Sequence, residues 1–391
     1  MLSALFAAIV AAPIYWLLVP RAARKDALSL VSLVALALYD VRLPLIVLAV
    51  IAVLYLCTRT IGSAERGKGR IVALLGFAGL GGLFLDNKLG AASGLEIALA
   101  SQGGVAFLGV SYFVLKAASI LVETHRRTVA PPSFLALARW LVFFPIFTSG
   151  PIEAFKHFDD QEPGIDLPRV LVGLERILFG CVRALLFSHY LAQWTAPIIQ
   201  QPEAHSALVL IAAGFGASLR IYFDFAGYSD IAIGLSALYG YEIQENFDKP
   251  LIRRNIVLLW QHWHMTLTRW LRVYIFTPWT RSVMKRGRSW HTPAIVTGQL
   301  VTMIFCGLWH EVSPGFALWG ALHGFAMVVA GLWARNLGRK LPAHVVAWWR
   351  ANPFAHAFSV ALTFCVFCAI NILAVTDLET ALRFYRHAIG M

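Results

Sequence analysis

The sequence predicts an all-α, polytopic integral membrane protein, and three observations carry that prediction. Hydrophobic residues make up 59% of the 391-residue chain and charged residues only 14%, against about 25% charged in ordinary soluble domains. Mean hydropathy is +0.68, so a water-soluble fold would lack a polar coat and lipid is the expected solvent. Apolar stretches recur from end to end, separated by short basic loops. In lipid each backbone amide must find its partner within the protein, which favours helices for segments of this length.

The apolar runs, in order, are Leu2–Val19, Leu43–Cys57, Ile71–Leu85, Val105–Val122, Phe134–Phe147, Leu208–Phe223, Ala294–Trp309 and Phe354–Val375, with Val170–Trp194 carrying a few charges. Together with shorter stretches they predict roughly ten or eleven membrane segments, several too short to cross ~30 Å unaided. Short re-entrant or interfacial helices are tolerated where backbone is buried in protein or lines a cavity. Proline and glycine predict helix ends at Pro131-Pro132, Gly150-Pro151, Pro202, Pro250 and Pro314-Gly315. The longest polar stretch, Glu153–Arg169, is too short to fold alone and reads as a loop. No internal repeat is evident, so 1–391 is expected to form one membrane domain.

Lys and Arg exceed Asp and Glu by 33 − 21 = 12. The excess sits between apolar runs, at Arg21, Arg24 and Lys25, at Arg59 to Arg70, at Arg126-Arg127, at Arg281 to Arg288 and at Arg335 to Lys340. That placement is the mark of cytoplasmic loops rather than of nucleic-acid binding. The first run has no basic residue before it and three soon after, which predicts an outside N-terminus and an uncleaved first helix, with a cleaved secretory signal as the weaker alternative. Cys57, Cys181, Cys306, Cys365 and Cys368 lie in or beside apolar runs and read as small hydrophobes, with no disulfide framework. Cys365 and Cys368 have redox or metal spacing but no second ligand pair.

The unusual chemistry lies between Phe143 and Phe325. In "LLWQHWHMTLTRWLRVYIF", residues 258–276, a helical wheel gathers Trp260, Trp263, Leu267, Trp270, Leu271 and Tyr274 within roughly 100°. Gln261, His264, Thr268 and Arg272 form a polar stripe beside them, and His262, Thr266 and Arg269 cover the far side. On one continuous helix His262 and His264 point apart, so they do not share a metal ion. The polar face predicts either an interfacial helix or the wall of a wet site, where ionisable groups within a membrane are functional by default. A second cluster, "CGLWHEVSPGFALWGALHGF", residues 306–325, ends one apolar run on His310 and places His323 in the next. Neutral imidazole is cheap to bury and titrates near working pH, which suits a general base.

These residues, as an ordered set, resemble the membrane-bound O-acyltransferase superfamily. The resemblance rests on Trp260–Leu271, on "GLWH" at Gly307–His310 and on "WGALHG" at Trp319–Gly324. It also rests on "FFPIFTSGPI" at Phe143–Ile152, "YFDFAGYSDIAIGLSALYGY" at Tyr222–Tyr241 and "ENFDKPLIRRNI" at Glu245–Ile256. The signature core covers about residues 105–325, flanked by N-terminal helices in 1–104 and C-terminal helices in 326–391. Within the superfamily the chain is similar to the bacterial branch that acylates cell-envelope glycans, which includes alginate O-acetylation proteins and teichoic acid D-alanyl transferases.

The resemblance implies helices ringed around a central tunnel, with His310 as the catalytic histidine and His264 as the second signature histidine. Trp263, Trp309, Asn246, Tyr228, Asp224, Ser149 and His323 are the expected lining or supporting groups, and Thr268 is a candidate partner for His264. It further implies a multi-pass protein of the bacterial cytoplasmic membrane with no tightly bound cofactor and no metal. The donor would be a cytoplasmic acyl thioester on coenzyme A or a carrier protein. The acceptor would be an outside hydroxyl, in many systems with a separate extracytoplasmic protein completing transfer. Two positions depart from the pattern: Glu311 replaces the glycine that usually follows the catalytic histidine, and His262 replaces a common arginine. No Ser or Cys sits in a nucleophile elbow, which favours direct transfer over an acyl-enzyme. The alternative readings are a transporter or flippase, a metal or haem protein using His264, His310 and His323, a catalytically dead scaffold, and an acyltransferase with a lipid or protein acceptor.

Overall fold

The computed structural model describes residues 2–93 and 108–391. The boundary expected near residue 105, and the start of the Val105–Val122 run, lie outside the described residues. Helices are the only regular elements among those described. Six of them are long and apolar enough to cross a membrane: Arg42–Ser63, Arg66–Asp86, Ala207–Leu238, Arg288–His310, Pro314–Arg335 and Pro353–Ala374. Most of the other segments expected to cross are shorter or interrupted among the described residues. Large apolar side chains such as Leu17, Leu38, Leu208 and Phe354 are more than three-quarters exposed, a costly arrangement in water and the ordinary one against lipid tails.

The described residues group into two compact units, Met1–Gly180 with Tyr228–Gln244, and Cys181–Gly227 with Glu245–Met391. The first unit begins with α1 (Leu2–Leu18), α2 (Arg24–Tyr39), α3 (Arg42–Ser63) and α4 (Arg66–Ser93), followed by α5 (Leu108–His125) and α6 (Phe134–Leu141). Helix α2 was not among the expected runs, because Arg24, Lys25, Asp26 and two serines dilute its apolar pattern. Asp26 is used: it pairs with Arg139 of α6 at 2.7 Å. The Phe134–Phe147 run does not continue as one helix. Helix α6 stops at Leu141, Phe143 leaves the helical region with ψ of 108°, and a 3₁₀ turn at Phe144–Ile146 follows, with Pro145 in its first turn, where a missing N–H costs nothing.

The polar loop after it is anchored rather than loose. It carries α7 (Phe155–Asp159) and leads to α8 (Leu167–Cys181). Glu153 is fully buried: its backbone carbonyl accepts the Trp140 indole N–H at 3.0 Å, and its carboxylate accepts the Gln244 N–H at 3.0 Å and meets His157 Nδ1 at 2.6 Å. Burial pushes the Glu153 carboxyl above its ordinary range, against the lowering from those two hydrogen bonds. Glycines let backbones meet in this unit, where a Cβ on Gly173 would sit 3.0 Å from the Gly234 carbonyl.

The second unit contains α9 (Ser188–Gln200), most of α10 (Ala207–Leu238), α11 (Ile256–His262), α12 (Met265–Leu271) and α13 (Thr277–Met284), then α14 (His291–His310), α15 (Pro314–Lys340), α16 (Ala343–Ala351), α17 (Pro353–Asn371) and α18 (Leu378–Ala388). Helices α14 and α15 form an antiparallel hairpin with only Glu311–Ser313 between them. Ser313 starts α15, its Oγ accepting the Phe316 N–H at 3.3 Å, and Pro314 occupies the first turn where a missing N–H costs nothing. Along this hairpin Gly307 packs on the Phe316 carbonyl and Gly320 on the Met303 carbonyl, each so closely that a Cβ would overlap the facing backbone. Between helices bathed in lipid, such close van der Waals approach is the main source of cohesion.

Candidate active site

The stretch 258–276 is not the single helix that its wheel suggested. Helix α11 ends at His262, α12 begins at Met265, and a π-helical turn, Arg272–Phe276, follows. The break falls on His264, whose φ of +43° is left-handed. For a residue with a Cβ this conformation costs on the order of 1–2 kcal/mol and persists only when its surroundings enforce it. Here the enforcement comes from the Asn246–Asp248 segment. Asp248 N–H donates to the His262 carbonyl at 3.0 Å, and Met265 N–H donates to the Asn246 carbonyl at 2.9 Å, so two backbone bonds clasp the break from either side.

The Asn246 side chain completes the clasp. It is fully buried, and its Oδ1 lies 2.9 Å from His264 Nδ1 and 2.9 Å from Thr266 Oγ1. An amide oxygen only accepts, so His264 Nδ1 carries the proton and the other ring nitrogen, Nε2, is the basic one. Full burial, and second the neighbouring His310, hold the His264 imidazole well below its ordinary pKa, so this ring stays neutral. Thr268, the expected partner, instead sends its hydroxyl to the Trp263 carbonyl at 3.2 Å. Asn246 was expected as a supporting group; that it holds His264 directly, and that Thr266 shares its oxygen, was not visible across a gap of 18 residues.

His310 is the last residue of α14, partly exposed, with its backbone leaving the helix at Glu311. Aromatic rings surround it: Trp309 at 4.7 Å, Trp319 at 5.7 Å and Phe316 at 6.0 Å between centroids. Trp309 also reaches the His264 ring at 6.5 Å, and Phe225 meets His264 edge-on at 4.6 Å. The second unit thus gathers His264, His310, Trp309 and Asn246 in one neighbourhood.

His323 lies deeper. Its Nδ1 accepts the Trp260 indole N–H at 3.3 Å, and its ring packs against Trp319 at 4.6 Å and Phe367 at 5.7 Å. Trp319 in turn donates to Asn371 Oδ1 at 3.0 Å. Fully buried among these groups, His323 braces the aromatic wall behind His310. Trp263 is buried against Phe247, Tyr222 and Phe367 at 5.2, 6.0 and 5.1 Å. Asp224 is exposed on α10, with no described contact bringing it to the histidines. Glu311 is exposed as well. His262 turns Nδ1 to the Leu258 carbonyl at 2.8 Å and lies 3.6 Å from Asp248, which also pairs with Arg253 at 2.8 Å.

Ser149 and Tyr228 belong to the first unit. Tyr228 shares a 2.7 Å hydrogen bond with Thr148, and Tyr112 hydrogen-bonds to Ser149, while Gly150 beside them adopts φ +108°, a conformation natural to glycine. Thr148 and Tyr112 were missed because nothing in the sequence marks which hydroxyls will meet.

The sequence profile of MBOAT, membrane-bound O-acyltransferase family, matches residues 22–375. The chain belongs to this family. Relatives include a teichoic acid D-alanyltransferase of Streptococcus thermophilus, 29% identical over 60% of this chain and 59% of the relative. A probable alginate O-acetylase of Azotobacter vinelandii is 31% identical over 56% of this chain and 43% of its own length. A peptidoglycan O-acetyltransferase of Helicobacter pylori is 25% identical over 57% of this chain and 47% of its own. The chain spans about half the length of these relatives.

Proposed function

We propose that this MBOAT protein moves an acyl group, acetyl or D-alanyl, from a thioester donor on the cytoplasmic side to a hydroxyl of an extracytoplasmic envelope polysaccharide or teichoic-acid-like polymer. In this reading it is a multi-pass protein of the bacterial cytoplasmic membrane, supplied by acyl-coenzyme A or an acylated carrier protein. The observation that carries the reading is the Asn246-clasped His264 lying next to His310 inside an aromatic wall. The names of the relatives support the polymer class, since they specify teichoic acid, alginate and peptidoglycan.

His310, partly exposed at the end of α14, is the general base. It takes the proton of the acceptor hydroxyl as that oxygen attacks the thioester carbonyl. The carbon–sulfur bond then breaks, and the leaving thiolate recovers the proton from His310, so the enzyme returns unchanged and the products are an ester and a free thiol. His264, kept neutral with Nδ1–H committed to Asn246, presents a basic Nε2 that orients the acceptor hydroxyl. Trp309 and Trp319 keep water from the thioester, which otherwise hydrolyses.

The test is made on envelope glycans from cells that express the protein or its His310→Ala variant. Mild base releases ester-linked groups, and mass spectrometry identifies them. Acetate or D-alanine released only when His310 is intact supports the proposal and names the acyl group. Equal ester content with a folded, membrane-inserted His310→Ala protein would refute it, and a labelled lipid or peptide ester would redirect the search to that acceptor.

A further inference from the structure

A cavity of about 590 Å³ opens on the side of α11 and α12 that faces α14 and α15, within the second unit. Its polar lining includes Gln261, His262, Arg269, Arg272, Gln299 and Thr302; its apolar lining includes Met265, Met303, Met327 and Phe276. No Asp or Glu contributes to the wall. Its volume falls within the roughly 300–1,000 Å³ typical of ligand sites.

Three features specify what would fill it. Arg269 and Arg272 are three residues apart, hence neighbours on one helical face, and both are exposed. Two guanidiniums side by side, with an imidazole and an amide near them, suit a phosphate ester. Thr302 is buried on the α14 wall, and its hydroxyl has no hydrogen-bond partner among the described residues. An orphaned buried hydroxyl costs about 1–3 kcal/mol, a cost that an occupant with acceptor oxygens relieves. The three methionines supply a pliable, polarizable surface that moulds to a flexible hydrocarbon. A free inorganic anion would leave that surface uncovered. Val273, in the turn that follows α12, and Phe305, on α14, are exposed apolar groups of the kind that face lipid tails.

We propose that this cavity is a binding site for an anionic phospholipid, with its phosphate on Arg269 and Arg272 and an acyl chain along Met265, Met303 and Met327. The occupant would lie behind the segment that carries His264: Met265 follows that histidine directly, and Trp260, also in the wall, donates to His323. Its role is to brace α11 and α12, two helices of seven residues each that are too short to be stable alone. The site is independent of the acyl-transfer reading, because its test reads lipid binding rather than ester formation.

The full-length protein is purified in neutral detergent and offered equal amounts of dioleoyl phosphatidylglycerol and dioleoyl phosphatidylcholine. Native mass spectrometry counts the lipids retained, and thermal unfolding is followed in parallel. Each guanidinium near a lipid phosphate is worth roughly a fivefold preference, so the expected selectivity for phosphatidylglycerol is about 25-fold. It should vanish in R269Q/R272Q and persist in R281Q/R286Q, which alters basic residues outside the cavity. Equal retention of the two lipids by the wild-type protein would overturn the proposal, and that arm needs no variant to fold. Retained selectivity in R269Q/R272Q would overturn it too. So would protection by pantetheine 4′-phosphate without protection by phosphatidylglycerol, which would assign the same phosphate-binding chemistry to a soluble thiol carrier instead.

Discussion

Replacing Asn246 by alanine removes one oxygen atom that accepts from both His264 Nδ1 and Thr266 Oγ1, each at 2.9 Å and each wholly inside the protein. Each donor left unsatisfied costs about 1–3 kcal/mol. The Thr266 hydroxyl can rotate toward a carbonyl, and release of the left-handed strain at His264 returns about 1 kcal/mol. The net expectation is a loss of about 2–4 kcal/mol, seen as a melting midpoint lowered by several degrees in detergent. Ester formation should fall further than stability does, because the His264 ring loses the bond that fixes its tautomer and direction. A misdirected group costs on the order of 100-fold in rate even when it is present. Asn246→Asp restores an acceptor while placing a carboxylate against the imidazole. It should raise the His264 pKa, so that activity becomes dependent on rising pH as the ring loses its proton. If Asn246→Ala melted and transferred like the wild type, the clasp would not be what holds His264.

His310→Gln, which keeps the size and polarity of the side chain, is expected to lower transfer by about 10²–10⁴-fold while leaving the melting midpoint nearly unchanged, the signature of a lost general base. Gly320→Val places a branched side chain where the Met303 carbonyl already lies against the backbone; membrane yield and melting temperature should both drop, and an unaffected protein would show that the hairpin is looser than described. Trp319→Phe keeps an aromatic ring edge-on to His310 and His323 but strands the Asn371 amide oxygen; a several-fold fall in rate with little change in expression is expected, read from ester release. Asp377 caps α18 by accepting the Thr380 N–H at 2.9 Å, and that bond holds its carboxyl below the usual aspartate range. Its stabilising contribution is complete above the ordinary aspartate pKa and is lost as pH falls through the lowered one. Hydrogen exchange in Leu378–Ala388 should therefore quicken in acid, and Asp377→Asn should remove that dependence.

The membrane class was legible because composition and periodicity are summed over many residues, and local exceptions average out. The two histidine clusters were legible because polar aromatic motifs stand out against oil. The geometry of His264 was not. A helical wheel assumes a constant rotation per residue, and the break at His264 resets that phase; neither proline nor glycine marks the site. The force that makes the break comes from Asn246, and side-chain bonds between segments carry no periodic trace. Helix α2 escaped for the converse reason, since its charged first turn is used by Arg139 rather than exposed to solvent alone. Asp224 shows the limit of motif order: it stands among matched residues yet projects from an exposed face of α10.

The three-residue turn between α14 and α15 sets the angular register of the two helices. His310 lies immediately before that turn, and His323 lies ten residues into α15. Adding one residue between Glu311 and Ser313 would rotate everything after it by about 100° if the helix kept its own geometry. Gly320 would then swing away from Met303 and a bulkier neighbour would take its place, while His323 would leave the Trp260 indole. Drift in the length of this turn should accordingly be far rarer than drift in its residue identities, and a library of turn variants at constant length should retain far more folded members than one that varies length.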